Sequence, residues 1–508
     1  MRPHVVQLAE DLKKAGIQYA FGVTGGGASL ELIANLEKQG IKYTPVAHEA
    51  AAPMMAGATC ADGLMRAVAI SIKGPGFVNM IPGITLNHFE ARPALSVSEA
   101  YDPSIKIAKV HKKVDQETIV KSLVKQYGRL SVKTKIKDYK TCAENEVPGP
   151  VHIDICNDSA IAVNGCNVSE FDKAFEELPD ITQFKKPVLI LGSLVVRQFT
   201  NIDWGSFKIP VCTTAAAKGA IDETHAYAGG VITGEIKELS PESTIIAEAD
   251  CVIAMGLRCN EVVKPINYEK PTFIMDLVSG DMHDGFNAKE ILASKENIDI
   301  LKNSVTSWGK DLCEDARANI RKETLKHPWV PATIFDELNN HDVALTLDTG
   351  IFCTVGETIF QAKTPSNFIG STQGRFMGTA IPTAIGHAIH TKKHTVCVVG
   401  DGGIMPYVSE IATAVEKKLP ILFVLMSDGG YGACAPAAAK INAPEHAYER
   451  TYQNIEKIVE GVGCPAKSAA NMTDVATIIK DWRAGNNPLY LELHFEKNIY
   501  RSMTEKLR

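Results

Sequence analysis

The chain has 508 residues, 45% of them hydrophobic and 22% charged, with a formal net charge of −6. This is the composition of a folded globular protein of about three domains, with no electrostatic reason to expect a nucleic-acid partner. No stretch approaches the roughly 18 apolar residues that a membrane span needs, so no membrane partner is expected. At the N-terminus, Val5, Leu8, Ala9 and Leu12 recur at helical spacing while Glu10, Asp11, Lys13 and Lys14 interrupt any apolar run, which predicts a surface helix and not a signal peptide. The twelve cysteines are scattered, and the closest pair, Cys251 and Cys259, is too far apart for a CxxC hook. Zinc and iron–sulfur sites are therefore not expected, and buried thiols in a reducing cytoplasm are the plain reading.

Strand and helix then alternate along the chain. In the first segment, residues 1–165, "YAFGV", "AVAISI", "ALSVS" and "GPVHIDI" read as buried strands, with helices following Gly25–Gly27, His48 and Asn79. A second segment, 180–320, carries "PVLILGS", "IPVCTTAAAKGAI", "CVIAMGL" and "TFIMDLV". The third, 330–508, carries "VALTLDTG", "TVCVVGDG", "ILFVLMSDGG" and "LYLELHF". Short apolar strands ending in glycine or polar residues, separated by helical stretches, predict an α/β fold of three doubly wound parallel-sheet domains. A nicotinamide-dinucleotide reading fails, because no strand end carries GxGxxG.

The third segment holds the strongest chemical signal. "VVGDGG" and "LMSDGG" are two apolar strands, each ending in an aspartate followed by glycines, and a helix predicted over 407–418 joins them. In such a unit both strands are parallel and end on the sheet edge where ligands bind. Asp401 and Asp428, 27 residues apart, then converge. Either Asp-Gly alone reads as a turn. As a pair they suit magnesium, which prefers oxygen ligands and phosphate partners, and Gly402, Gly403, Gly429 and Gly430 allow backbone to approach a diphosphate.

"GDGG…SDGGYG" resembles the cofactor motif of the thiamine-diphosphate-dependent acetolactate synthase and 2-oxo-acid decarboxylase family. "YAFGVTGGGASLEL", "VAHEAAAPMMA", "KGPGFVNMIPGI" and "GRFMGTAIPTAIG" resemble four further motifs of that family, in its order and over essentially the whole chain. The resemblance implies a pyrimidine-binding domain, a central domain and a diphosphate-binding domain. It implies thiamine diphosphate and Mg2+ as cofactors, with Asp401, Asp428 and the Gly430 carbonyl as metal ligands. It assigns Glu49 as the catalytic carboxyl that shares a proton with the cofactor's aminopyrimidine, helped by burial that raises its pKa. Gly25, Pro75, Asn79, Met377, Gly402, Gly403, Gly430 and Tyr431 are implied to contact the cofactor. Three positions depart from the family pattern: Thr24 stands for proline, Lys73 for serine, and Asp428 for the usual asparagine. The extra charge of Asp428 is expected to weaken cofactor binding.

The family's reaction starts from a 2-oxo acid, which loses carbon dioxide; the fragment left behind is protonated, oxidised or joined to a second carbonyl. Gly26 resembles the acetolactate synthases, where a missing side chain leaves room for an acceptor. His111 and Lys112 stand where decarboxylases of the family have a histidine pair and acetolactate synthases have Phe-Gln, and match neither; His111 is expected to move protons and Lys112 to meet an acceptor carboxylate, with a solvated basic face including Lys113 as the alternative. Arg375 either binds an anionic substrate or reaches solvent. Decarboxylation followed by carboligation is the expected activity, with a simple decarboxylase or a non-catalytic family member as alternatives. The central domain shows no flavin signature, so FAD is not expected. The resemblance further implies a homodimer or homotetramer in which Glu49 and Asp401 act across the subunit interface.

Overall fold

A computed structural model describes all residues except Met1, 132–133, 157–164, 167–173 and 451–453. The expected residue 165 boundary lies between two of these stretches. The predicted N-terminal helix forms over Pro3–Lys14 and buries Val5, Leu8, Ala9 and Leu12. Three sheets follow in sequence. The first contains β1 (Tyr19–Gly22), β2 (Lys42–Pro45), β3 (Ala67–Ser71), β4 (Leu95–Ala100), β5 (Gln126–Arg129), β6 (Val151–Cys156) and β7 (Gly165–Cys166), in the order β2-β1-β3-β4-β6-β5-β7. All its pairings are parallel except that of β7, which runs antiparallel to β5.

The second sheet contains β8 (Pro187–Leu191), β9 (Val211–Thr213), β10 (Ala228–Val231), β11 (Cys251–Met255), β12 (Thr272–Asp276) and β13 (Lys289–Leu292), ordered β10-β9-β8-β11-β12-β13. The third contains β14 (Ala344–Leu347), β15 (Phe368–Gly370), β16 (Thr395–Val399), β17 (Ile421–Ser427), β18 (Ala466–Ala469) and β19 (Leu489–His494), ordered β15-β14-β16-β17-β19-β18. Both are wholly parallel, and every residue of the central strands β8, β11, β16 and β17 is buried. That burial matches their Val/Ile/Leu-rich sequences, since a parallel sheet is covered by helices on both faces.

The first and third units share one core. Helix Ala51–Thr59 packs on helix Ala380–Thr391, and Met55, Phe77 and Ile84 join Ile381, Ile385 and Phe423 in a continuous buried cluster. A Cβ on Gly386 would lie 2.3 Å from the Met55 carbonyl oxygen, so the helices approach as closely as they do only because that position is glycine. Each large apolar side chain sequestered here contributes about 1.5–3 kcal/mol. Glu90 adds a polar tie: its carboxylate accepts from the Ser371 hydroxyl and from the N–H groups of Thr372, Gln373 and Gly374, fixing the loop that leads to Met377. The second unit is tied to the first by the buried Glu146 carboxylate, which pairs with Arg197 and, at 2.9 Å, with Arg258.

Three local expectations need correction. The helix predicted over 407–418 is broken: Tyr407, at φ −132°, interrupts a tight helical run Met405–Glu410, and a regular helix spans only Ile411–Glu416. Its buried residues are Ile411, Thr413 and Ala414, and helix Ala380–Thr391 packs on it. The helix expected after Asn79 starts earlier, at Pro75, whose fixed φ suits a first helical position. Cys142 is disulfide-bonded, unlike the buried free thiols of Cys60, Cys212 and Cys397. Among the described residues no helix is long and apolar enough to cross a membrane.

Candidate active site

Strands β16 and β17 pair in parallel from Thr395↔Ile421 to Val399↔Leu425, so Asp401 and Asp428 leave the same sheet edge. Asp401 is buried at the start of a short helix, Asp401–Ile404. Its Oδ1 accepts from the Ser427 hydroxyl at 2.7 Å, and its Oδ2 accepts from the N–H groups of Asp428, Gly429 and Gly430 at 3.0, 3.1 and 3.2 Å. The loop after β17 thus curls around the Asp401 carboxylate. Burial pushes the pKa of Asp401 up, with nearby Asp428 adding to it, while the Ser427 hydroxyl and loop N–H groups act against the rise.

Asp428 is buried as well, and burial raises its pKa too. Its charge has a cationic partner within the chain. Arg501, on the C-terminal helix Lys497–Ser502, donates from Nε to Asp428 Oδ2 at 2.7 Å and from Nη1 to Glu449 Oε1 at 2.8 Å. Arg501 Nη2 is buried without a hydrogen-bond partner among the described residues.

The glycines around this edge are sterically required. A Cβ on Gly402 would lie 2.5 Å from Tyr431 Cε1 and 2.7 Å from Met377 Sδ, so these three positions converge. A Cβ on Gly403 would meet Asp348 Oδ2 at 1.9 Å, and one on Gly430 would meet the Tyr448 carbonyl oxygen at 2.3 Å. Met377 is 47% exposed, which sets it apart from the buried core methionines Met55, Met80 and Met426. Asp348, at the end of β14, went unnoticed in the sequence although "TLDTG" repeats the pattern of an apolar strand ending in an acid. Both its oxygens accept from the Gly378 N–H at 2.8 Å, which fixes the backbone next to Met377. Burial pushes the Asp348 carboxyl up to about 7.

In the first unit, Gly25–Gly27 lead into helix Ala28–Lys38. Gly27 has φ +70°, and a Cβ there would meet Glu99 Oε1 at 2.6 Å. That buried carboxylate accepts from the Ser29 N–H at 2.8 Å at the helix N-terminus, where an anion is favoured. Its other oxygen pairs with Lys73 Nζ at 2.8 Å, which gives the lysine at the motif's usual serine position a structural role. A Cβ on Gly26 would find nothing within 4 Å, whereas one on Gly25 would meet Ile72 Cβ at 3.0 Å.

Glu49 is half-buried just before helix Ala51–Thr59, and its Oε2 accepts from Asn79 Nδ2 at 3.1 Å. Gly76, in the first turn of the Pro75 helix, leaves the space beside Glu49 Oε1 free: a Cβ there would stand 3.3 Å away. The residues before that helix are held by the third unit of the same chain. Glu410, fully buried, accepts from the N–H groups of Ala47 and His48 at 3.2 and 2.9 Å. Sequence reading missed Glu410; a charged side chain inside a predicted amphipathic helix was its only signal.

His111 and Lys112 are exposed and stand on the loop that packs against Gly74–Pro75. A Cβ on Gly74 would lie 2.0 Å from the Lys112 carbonyl oxygen, and the Gly74 N–H donates to Gln116 Oε1 at 3.1 Å. Lys113 is no part of a solvated basic face: its ammonium donates to the carbonyls of Asp102 at 2.9 Å and Pro103 at 3.1 Å, and also to Ile105. Arg375, with a quarter of its side chain exposed, pairs with buried Glu357 at 2.5 Å. In the second unit, buried Glu261 accepts from the Ser193 N–H at 2.8 Å and from Thr214 Oγ1 at 2.8 Å, so the chain's own carboxylate uses the donors at the ends of β8 and β9.

This donor set fits a hard cation and a phosphate. Among the described residues no three His, Cys, Asp or Glu side chains gather as a metal site, so a cation here would rely on two carboxylates completed by main-chain oxygen.

Residues 5–118, 178–279 and 348–493 match, respectively, the N-terminal TPP binding domain, the central domain and the C-terminal TPP binding domain of thiamine pyrophosphate enzymes. The chain is 24% identical to a probable acetolactate synthase large subunit of Methanococcus aeolicus, over 83% of this chain and 80% of that protein. It is 24% identical to the acetolactate synthase isozyme 3 large subunit of Escherichia coli K12, over 88% and 86%. It is 21% identical to a glyoxylate carboligase of Escherichia coli O157:H7, over 98% and 93%.

Proposed function

The chain belongs to the thiamine pyrophosphate enzyme family, and from that premise we propose that it is a magnesium-dependent carboligase that decarboxylates a 2-oxo acid and joins the remaining fragment to a second carbonyl compound. In this reading the segments 1–165, 180–320 and 330–508 are its pyrimidine-binding, central and diphosphate-binding domains. Asp401, Asp428 and the Gly430 carbonyl would hold Mg2+, with Gly402 and Gly403 against the diphosphate. Gly25, Pro75, Asn79, Met377 and Tyr431 would line the rest of the cofactor. When bound, thiamine diphosphate supplies the electron sink that lets carbon dioxide leave. Glu49 keeps Oε1 to hold or release a proton while Asn79 orients Oε2. His111 and Lys112 would stand at the rim to meet an anionic acceptor.

The observation that carries carboligation over simple decarboxylation is Gly26, beside which a side chain would find open space to 4 Å. That space suits an acceptor. A homodimer or homotetramer is part of the proposal: exposed Met377, Phe89 and Val78 are apolar residues at or near the proposed cofactor contacts that a second copy would cover. The test is carbon dioxide release from a panel of 2-oxo acids, with and without aldehyde or 2-oxo-acid acceptors. Release that requires both thiamine diphosphate and Mg2+ is expected, and its absence across the panel would leave a non-catalytic protein.

A further inference from the structure

We infer that Arg501 is a positioning residue of the metal and diphosphate site, acting as a built-in counter-cation that makes Asp428 equivalent in charge to a neutral oxygen donor. The inference rests on the proposed assignment of Asp428 as a metal ligand. Two carboxylates and a diphosphate around one divalent cation leave the assembly strongly negative, and in a buried site each uncompensated charge is costly.

The structure answers that problem 73 residues downstream, where Arg501 Nε donates to Asp428 Oδ2. Asp428 Oδ2 is thereby occupied, while Oδ1 carries no hydrogen bond from Arg501 and remains the oxygen able to face a cation. Two further features support a fitted pair. A Cβ on Gly432 would fall 2.1 Å from Asp428 Oδ2 and 3.2 Å from Arg501 Nε, so glycine at 432 is what gives the contact its room. The arginine is also aimed: Glu449 takes Nη1, Glu496 accepts from the N–H groups of Asn498 and Ile499 at the start of the C-terminal helix, and Tyr500 is buried beside it. Glu449 borders Tyr448, whose carbonyl accepts from the Tyr431 N–H at 2.7 Å, so the same helix steadies the loop that carries Gly430. The C-terminal helix, distant in sequence from the two strand ends, thus belongs to the site.

The test is binding of thiamine diphosphate at limiting Mg2+, followed by calorimetry on wild type, R501Q, R501K, D428N and D428N/R501Q, with circular dichroism to check folding. R501Q is expected to bind about 10-fold or more weakly, the effect of one uncompensated charge in a partly buried site. R501K, which keeps the charge, and D428N/R501Q, which removes both charges, are expected within about 3-fold of wild type, since neither leaves a lone carboxylate. D428N alone is expected not to tighten binding. Wild-type-like binding by R501Q, tighter binding by D428N, or a double variant as weak as R501Q would each overturn the role of Arg501 while leaving the cofactor assignment intact. If R501Q does not fold, R501K against the double variant still decides, because a purely steric role would spare neither. Wild type that binds no cofactor would instead overturn the proposed function, and this inference with it.

Discussion

Glu49 is the residue on which the proposed chemistry turns. Glu49→Gln keeps the size and the contact to Asn79 but cannot exchange a proton, so folding and cofactor binding should persist while turnover falls by roughly 10²-fold or more. Hydrogen–deuterium exchange at C2 of the bound cofactor reads the step directly, and wild-type exchange in the variant would remove Glu49 from it. Asp348 gives a different kind of prediction. Burial raises its carboxyl from the ordinary 3.8 to about 7, so the fold favours the neutral acid. Its contribution is complete at low pH and is lost as pH rises toward and past 7, the opposite of a salt-bridged carboxylate. Asp348→Asn should therefore show a smaller fall in urea midpoint than wild type between about pH 5.5 and pH 8. At this scale the sequence displayed the motif residues and hid their partners. Glu410 lies 362 residues from His48, and Arg501 lies 73 from Asp428. No local periodicity or spacing links positions that meet only through tertiary packing.

Helices and strands were legible in proportion to their burial. The central strands of all three sheets stand out as apolar runs because both faces are covered. The overlooked strands sit mainly at sheet edges: β2, β13 and β18 have partly exposed sequences, "KYTP", "KEIL" and "AKSA", without an apolar signature. The broken helix around Tyr407 escaped for a related reason, since apolar spacing does not report a single non-helical residue. The element with the clearest functional consequence is helix Ala51–Thr59, anchored at its entry by Glu410. Glu410→Gln keeps one acceptor where the structure uses two, and should cost about 1–3 kcal/mol of stability. Turnover should fall with it through a displaced Glu49, while Mg2+ affinity stays unchanged; thermal melting and metal titration on the same sample separate the two effects.

Across the whole molecule, the first and third units are bound into one core within a single chain, and the middle unit is tied on through Glu146. That rigid arrangement holds the Glu49 face and the Asp401 face at fixed relative positions, and the proposed pairing with a second copy would complete each site. Gly26 sits on the first of these faces. Gly26→Asp should reduce joining of the two carbonyl fragments more than it reduces carbon dioxide release, because the change meets the acceptor and not the donor. The most direct measurement is the partition of the best 2-oxo acid, with thiamine diphosphate, Mg2+ and saturating acceptor, between ligated product and free aldehyde. Ligated product should dominate in wild type and give way to aldehyde in Gly26→Asp. Free aldehyde alone from wild type, at every acceptor concentration, would contradict carboligation and identify a simple decarboxylase.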